Sequence, residues 1–321
     1  MKYRIIIIGC GQLGSRHLQA LAKSKLSFSI DVVDPIQASL DVAAARYAEI
    51  QPTITLAAFH KEIPAGADYE LAIIATPSLT RAAVTRDILL RSTVRRLFFE
   101  KFLFPCLAEY DEIGVLLEEK KIPAWVNCPR RIYPDYQRFK ELFHQARLNF
   151  FVTGGPWGLA CNSVHFLDFA AWLSGEKDFT FDGSSLESKE YESLRPGFIE
   201  FGGTLRGRGE QGSEISLTAF PESELGHLIV ISSAEAVLVL DEIAGRTELR
   251  TWSSGGKIEQ MTIRLPYQSE LTHLLAEDLI LNNSCPLTPF NESANFHKVI
   301  LQAFLRHQAK SGHQGNICPI T

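Results

Sequence analysis

Four consecutive isoleucines, Ile5–Ile8, run into Gly9-Cys10-Gly11-Gln12-Leu13-Gly14, and an amphipathic segment begins at once. A strand buried on both faces, a G-x-G-x-x-G turn and a helix are the opening of a βαβ unit that accepts a dinucleotide. Gly9 permits the tight turn. Gly11 lets the backbone approach a pyrophosphate, and Gly14 lets the helix pack on the strand. With Gln12 and Leu13 in the turn, the helix N-terminus offers free N–H groups and a partial positive charge to the phosphates. Asp34 falls 20 residues after Gly14, at the end of a second β-rich run. A carboxylate there accepts hydrogen bonds from ribose hydroxyls and repels a 2′-phosphate, so NAD(H) is expected over NADP(H). The competing reading is that Asp34 merely opens the turn at Pro35.

The first 125 residues or so continue the alternation of strand and helix. Strands are predicted at Arg4–Ile8, Ser29–Asp34, Thr53–Leu56, Glu70–Ala75, Arg96–Glu100 and Ala124–Asn127, and helices at Ser15–Lys25, Gln37–Tyr47, Arg81–Arg91 and Ala108–Lys121. Short connections between them argue for a doubly wound parallel sheet over residues 1–125. The pattern then changes. Helices are predicted at Tyr136–Ala146 and Asn162–Leu173, then six strands from Phe198 to Leu265, then helices near Leu271–Asn282 and Asn295–Gln308. Alternation such as Ile215, Leu217, Ala219 suits a sheet with one wet face. Residues 126–321 therefore read as an α+β domain with an open, mostly antiparallel sheet. Turns are expected at Arg206–Gly212 and Ser253–Gly256, and a loose tail at Ser311–Thr321.

A net charge of −5 offers no electrostatic reason to approach nucleic acid or an anionic membrane. The apolar run at Ile5–Ile8 is too short for a signal-peptide core and nothing approaches a membrane span, so a cytoplasmic protein handling a small molecule is expected. The six cysteines form no CxxC pair, and the histidines, His297 and His307 among them, form no metal-spaced set. Neither a disulfide framework nor a metal site is expected.

Four features together resemble the glucose–fructose oxidoreductase, inositol dehydrogenase and MocA family. Arg16-His17 continues the glycine loop. Ala75-Thr76-Pro77-Ser78 ends a buried strand, and Glu100-Lys101 ends the next long one. Val164-His165-Phe166-Leu167-Asp168 through Trp172-Leu173-Ser174-Gly175 looks like the family's helix with His-x-x-Asp and a closing Trp-Leu-x-Gly. The resemblance implies a Rossmann domain joined to an α+β domain whose sheet often forms a dimer or tetramer interface. The substrate, a sugar, sugar derivative or polyol, would sit between that second domain and the nicotinamide. Thr76, Pro77, Glu100 and Lys101 would lie beside the cofactor. Lys101 would hydrogen-bond the reacting oxygen, and His165 would exchange a proton with the substrate hydroxyl. Histidine's ordinary pKa near 6.5 suits that task at neutral pH.

Two departures from the family pattern stand out. The family's aspartate four residues before the histidine is Cys161 here, followed by Asn162; positions 161, 162 and 165 still share a helical face. The polar contact passes to Asn162, or the substrate differs, or turnover is lost and the chain is a dinucleotide-binding sensor. A Cys161–His165 thiolate dyad lacks a third group and any acyl-transfer motif. The second departure is Phe102-Leu103 in place of proline after Lys101. Arg131, with Arg130, Tyr133 and Tyr136, is a candidate for an anionic substrate group, with a solvated face as the alternative. Trp157, on the glycine-rich stretch before the helix, is a candidate for stacking on a sugar ring, with core packing as its rival. Asp168 reads as a helix-positioning residue. Reduction of an unsaturated or imine substrate is a further enzymatic alternative.

Overall fold

The computed structural model describes residues 2–313 and 315–321. Contacts divide the chain into two compact units. Residues up to Phe104, Ala108–Asn127 and Pro266–Phe290 form the first; Pro105–Leu107, Cys128–Leu265 and residues from Asn291 onward form the second.

The elements of the first unit alternate as the isoleucine run and glycine loop dictate. They are β1 (Tyr3–Ile8), α1 (Gln12–Ala22), β2 (Phe28–Val33), α2 (Gln37–Ala48), β3 (Leu56–His60), β4 (Asp68–Tyr69), β5 (Leu71–Ile74), α3 (Ser78–Arg91), β6 (Thr93–Val94), β7 (Leu97–Phe99), α4 (Leu107–Glu119) and β8 (Ala124–Val126). The main sheet runs β3-β2-β1-β5-β7-β8 in parallel, while β4 and β6 pair apart from it. Strand order reverses between β1 and β5, the switch point at which such sheets bind ligands beyond their carboxyl ends. The four isoleucines of β1 and all of β5 are buried, as parallel strands covered on both faces must be.

The second unit holds α5 (Pro134–Phe143), β9 (Asn149–Gly154), α6 (Leu159–Ser174), β10 (Phe179–Glu192), β11 (Ile199–Gly209), β12 (Glu214–Ala219), β13 (Leu228–Ser232), β14 (Ala236–Asp241), β15 (Arg246–Thr251) and β16 (Ile258–Thr262). The eight strands form one sheet in the order β10-β11-β12-β9-β13-β14-β15-β16, antiparallel except where β12 meets β9. The chain closes with α7 (Thr272–Asn282), the two-residue β17 (Thr288–Pro289), which joins the first sheet antiparallel to β8, and α8 (Phe290–Lys310). One face of the large sheet is a core. Phe150 meets Phe169 of α6 edge to face at 5.9 Å, and Phe201 stacks on Phe304 of α8 at 4.8 Å.

The fold class is as expected: a Rossmann-type parallel sheet followed by a mostly antiparallel one. Several details differ. The third strand lies at Leu56–His60 and not at Thr53–Leu56, because only the later residues pair with Ser29–Val33. Besides the two-residue β4, β6 and β17, two longer strands went unrecognised. β9 merges into the glycine-rich stretch before α6, and β10 is a polar edge strand with register shifts between Asp182 and Ser185 and between Leu186 and Glu190. Arg206–Gly209 continues β11 instead of turning, since it pairs with both β10 and β12. Residues 266–290, which follow the boundary expected near 125, pack within the first unit. Ser24 Oγ and the Lys25 N–H both donate to Glu277 of α7 there. The expected loose tail is anchored at its end. Cys318 N–H donates to Pro105 O, Ile199 N–H donates to Pro319 O, and Cys318, Ile320 and Thr321 are buried.

Candidate functional site

Parallel register sets the first unit's candidate residues in a row. Ile8 pairs with Ile74, Ile74 with Phe99, and Phe99 with Val126. The next residue on each strand continues the ladder: Ala75 N–H donates to Ile8 O, Glu100 N–H to Ile74 O and Asn127 N–H to Phe99 O. On the other side, Gly9 N–H donates to Val33 O. Asp34, the glycine loop, Ala75-Thr76-Pro77, Glu100-Lys101 and Asn127 thus leave the carboxyl ends of five neighbouring strands.

Each glycine of the loop has a separate physical reason. Gly9 has φ +87° and lies against the Ala75–Thr76 backbone, where a Cβ would come within 2.7 Å of Thr76 N. At Gly14 a Cβ would meet Gly9 O at 1.8 Å, but at Gly11 it would meet nothing within 4 Å. The first and third glycines are demanded by packing, whereas the second faces open space. Gly14→Ala is accordingly expected to lose NADH binding and to cost about 1–3 kcal/mol of stability by overpacking. NADH titration and thermal melting check this, and an alanine protein that binds normally would refute the packing argument.

These residues fit a dinucleotide. The α1 N-terminus has no side-chain cap and no acid in its first turn, so its N–H groups face outward unpaid by any carboxylate of the helix. Asp34 is buried; its Oδ2 accepts from Cys10 N–H and its Oδ1 from Ile36 N–H, both at 2.9 Å. Those bonds fix the carboxylate beside the loop and leave lone pairs on both oxygens. Buried Thr76 Oγ1 and Asn127 Oδ1, on the same edge, have no hydrogen-bond partner among the described residues. Orphaned buried polar atoms are costly unless a ligand or water meets them. Burial, then Asp34, pushes the Cys10 thiol up to about 12, which keeps it protonated.

Lys101 is half-buried at the end of β7, and the Lys101–Phe102 peptide is cis. Phe102, Leu103 and Phe104 are fully buried. Arg81 of α3, also buried, donates to Phe102 O, to Leu103 O at 3.0 Å and to Thr76 O. One guanidinium therefore ties the segment after Lys101 to the segment after β5, and an apolar anchor stands where the family has proline.

Glu100 closes a ring of side chains. His17 Nε2 and Asn127 Nδ2 reach Glu100 Oε1 at 2.8 and 2.6 Å, and Asn127 Nδ2 also donates to Gln268 Oε1 at 2.8 Å. Gln268 Nε2 donates to Thr272 Oγ1 at 2.9 Å, and that hydroxyl lies 2.8 Å from His17 Nδ1. Burial by itself would raise the Glu100 pKa. Hydrogen bonds from His17 and Asn127 with the charges of His17 and Arg81 bring it below the usual carboxylate value. An ionised Glu100 accepts the His17 Nε2–H. Sequence reading reached Glu100 and noted His17, but Arg81, Asn127, Gln268 and Thr272 were not found. Their signal is spatial: the ring joins positions 17, 100, 127, 268 and 272.

In the second unit, α6 carries Cys161, Asn162, His165 and Asp168. The helix starts after Gly158, whose φ of +76° stops the preceding chain and whose lack of a side chain leaves the first turn uncapped. Glu200 of β11 supplies the cap: its Oε2 accepts from Ala160 N–H at 2.7 Å and its Oε1 from Cys161 N–H at 3.3 Å. The Cys161 thiol lies 3.6 Å from Gly158 O, and Asn162 Nδ2 donates to Trp157 O at 2.7 Å. His165 is half-buried one turn further on. Trp157 is held by packing. Its Nε1 donates to Thr218 O at 2.8 Å, and its ring meets Phe166 edge to face at 5.1 Å.

Neither arginine of the 3-10 turn at Pro129–Ile132 stands on a solvated face. Arg131 grips Asp168 with two bonds, Nε to Oδ2 at 3.1 Å and NH2 to Oδ1 at 2.8 Å, and reaches Glu292 at 3.4 Å. Arg130 grips Glu242 in the same forked way at 2.8 and 2.6 Å, with Tyr136 OH donating to the same carboxylate at 2.6 Å. Its guanidinium lies 4.3 Å from the centre of the Phe166 ring. The fork of Arg131 is thus engaged by the carboxylates of Asp168 and Glu292.

Burial pushes Glu242 up, but the Arg130 charge and hydrogen bonds from Arg130 and Tyr136 hold it well below its ordinary 4.5. A carboxylate depressed in the folded state contributes stability that is present above its unfolded value and lost as pH falls toward its folded one. Denaturation midpoints should therefore decline as pH drops below about 4.5, and Glu242→Gln should flatten that decline. An unchanged pH profile in the glutamine protein would contradict the assignment.

Among the described residues no group of three or more His, Cys, Asp or Glu is placed to hold a metal ion, and no helix is long and apolar enough to cross a membrane.

The family model described as oxidoreductase family, NAD-binding Rossmann fold (GFO_IDH_MocA) matches residues 3–128. No curated protein matches the chain. Solved structures match nearly its whole length. UDP-N-acetylglucosamine 3-dehydrogenase GnnA from Acidithiobacillus ferrooxidans is 14% identical with a TM-score of 0.71, over 97% of this chain and 99% of that one. An oxidoreductase from Agrobacterium radiobacter in complex with NAD+, L-tartaric acid and magnesium is 14% identical with a TM-score of 0.71, over 97% of each chain. A super-repressor mutant of Gal80p from Saccharomyces cerevisiae is 14% identical with a TM-score of 0.71, over 98% of this chain and 100% of that one. At such identity the likeness is one of fold. The glycine loop, the carboxyl-edge row and the family match agree: residues 3–128 match the NAD-binding Rossmann domain of the Gfo/Idh/MocA oxidoreductase family.

Proposed function

We propose that the chain is an NAD-dependent oxidoreductase acting on a secondary alcohol or ketone of a sugar, sugar derivative or polyol. The observation that carries this reading is the register that sets Lys101 on the same sheet edge as the glycine loop, Asp34 and Thr76. The nicotinamide, when bound, supplies the hydride acceptor or donor. Asp34 receives the adenosine ribose hydroxyls and disfavours a 2′-phosphate, which gives NAD(H) its preference. Lys101 donates a hydrogen bond to the reacting oxygen and stabilises the charge that gathers there. His165 takes the hydroxyl proton in the oxidising direction and returns it in the other. Cys161 and Asn162, on the same helical face, contact the substrate, and a thiol in place of a carboxylate favours a less polar group at that point.

The test is NADH formation or loss across polyols, free sugars, sugar phosphates and nucleotide sugars, with binding of NADH and NADPH measured alongside. Turnover with any of these supports the reading. Tight NADH binding with no turnover in a broad panel would sink it in favour of a dinucleotide-binding regulator. That second reading draws on Cys161 and on the likeness to Gal80p. An Asp34→Ser protein with an unchanged NADH-to-NADPH ratio would remove the cofactor preference.

We further propose that the chain assembles with copies of itself through the open face of its large sheet. Phe151, Leu228 and Val237 are 41%, 39% and 40% exposed there, alternating with buried neighbours along their strands. Light scattering should show a dimer or tetramer that Phe151→Glu dissociates. A native monomer would end this proposal.

A further inference from the structure

We propose that Arg46, near the end of α2, is a phosphate ligand of the dinucleotide site. Its NH1 donates to Gln12 O at 3.3 Å and to Ser15 Oγ, and its NH2 donates to Gln12 Oε1 at 2.8 Å. Every one of these acceptors is neutral and belongs to the first turn of α1. No carboxylate lies within ion-pair distance of Arg46 among the described residues.

That placement runs against simple electrostatics. The N-terminal turn of a helix carries partial positive charge and favours an anion, so a guanidinium beside it is disfavoured. Here α1 has no acidic residue in its first turn and no side-chain cap, so nothing in the helix start offsets the added cation. Three hydrogen bonds nevertheless hold the guanidinium there. Gly11, at the head of the same turn, faces open space. A cation, a helix N-terminus and open room in one turn are complementary to an anion, and in a dinucleotide site the anion offered is a phosphate. Guanidinium is the side chain best suited to it, because its fork matches two phosphate oxygens. Gln12 acquires a role in the same step: its side chain anchors the arginine, and its place in the loop brings the two to the phosphate.

The shared chemistry is a phosphate of the cofactor, and two sources exist: the diphosphate bridge and a 2′-phosphate on the adenosine ribose. The inference rests on the dinucleotide site and needs no turnover. Calorimetric titration of the full chain with NADH, NADPH, ADP and adenosine tests it in the native protein, Arg46→Gln and Arg46→Lys. Arg46→Gln should weaken phosphate-bearing ligands roughly ten- to a hundredfold while adenosine binds as before. A loss shared by NADH and ADP identifies the diphosphate as the group held; a loss confined to NADPH identifies the 2′-phosphate. Arg46→Lys keeps the charge without the fork and should show a smaller loss in the same direction. It carries the test if the glutamine protein does not fold. Equal losses for adenosine and ADP would mean that Arg46 only ties α2 to α1, and that overturns the proposal, as does unchanged binding of every phosphate ligand. Failure of the native protein to bind NADH would strike the cofactor reading first, before any variant is compared.

Discussion

Lys101→Met and His165→Ala are each expected to lower kcat by about 10²- to 10⁴-fold on whichever polyol or sugar the native protein turns over. NADH binding should stay within about threefold of native in both, since the contacts assigned to these side chains are to the reacting oxygen and its proton. The variants should also differ in their pH profiles. Loss of His165 removes a proton acceptor whose ordinary value is near 6.5, so the profile should become flat around neutrality. Loss of Lys101 should lower the rate at every pH while the histidine limb remains. Steady-state rates from pH 5 to 9 separate these outcomes. A His165→Ala protein that retains native kcat would exclude this histidine as the acid/base. Glu100 offers an indirect control. Asn127→Leu removes one donor from the buried ring, so it should reduce kcat through Lys101 placement without abolishing it.

Arg131→Met is expected to cost about 3–5 kcal/mol of stability, because it leaves the carboxylate of Asp168 buried without its cation. Asp168 is 0% exposed and takes two bonds from that guanidinium, at 3.1 and 2.8 Å. Asp168→Asn alone should also destabilise, by leaving Arg131 with a neutral partner and Glu292 at 3.4 Å as its remaining acid. The double replacement should recover much of the loss, as a coupled pair must. Urea denaturation of the full chain, followed by tryptophan fluorescence, checks the cycle, with Trp172 on α6 and Trp157 just before it as nearby reporters. Strict additivity would show that the pair is not coupled. The wider consequence concerns placement. Arg130 and Arg131 fasten the turn at Pro129–Ile132 to Glu242, in the β14–β15 turn, and to Asp168 of α6.

Local physics made the first unit readable. A parallel strand covered on both faces must be continuously apolar, and Ile5–Ile8 and Leu71–Ile74 are. A tight turn into a helix must carry glycine where a Cβ would strike backbone, and Gly9 and Gly14 do. The same reasoning weakened where constraints were not local. β10 alternates imperfectly because bulges interrupt its pairing, and β9 has only six residues before a glycine turn. The tail was misread as loose because Cys318 and Pro319 are held by backbone at Pro105 and Ile199, which no pattern around residue 318 reveals.

The candidate site divides in the same way. The loop, Asp34, Lys101 and His165 are carried by motifs of adjacent residues or fixed spacing. Trp157 and Arg131 were open between ligand and structural roles, and the chemistry of their neighbours bears on that choice: Thr218 O and Phe166 for one, Asp168 and Glu292 for the other. By itself the amino-acid sequence determined the strand–glycine–helix opening, the acid that follows it and the change of grammar near residue 125, because each depends on periodicity or contact among near neighbours. Only the tertiary structure decided which charges are spent on one another, that Glu200 caps α6, that Arg46 stands beside the first turn of α1, and that residues 17, 100, 127, 268 and 272 form one ring. Hydrogen bonds and ion pairs are set by distance in space, and partners up to 255 positions apart leave no periodic trace in one chain.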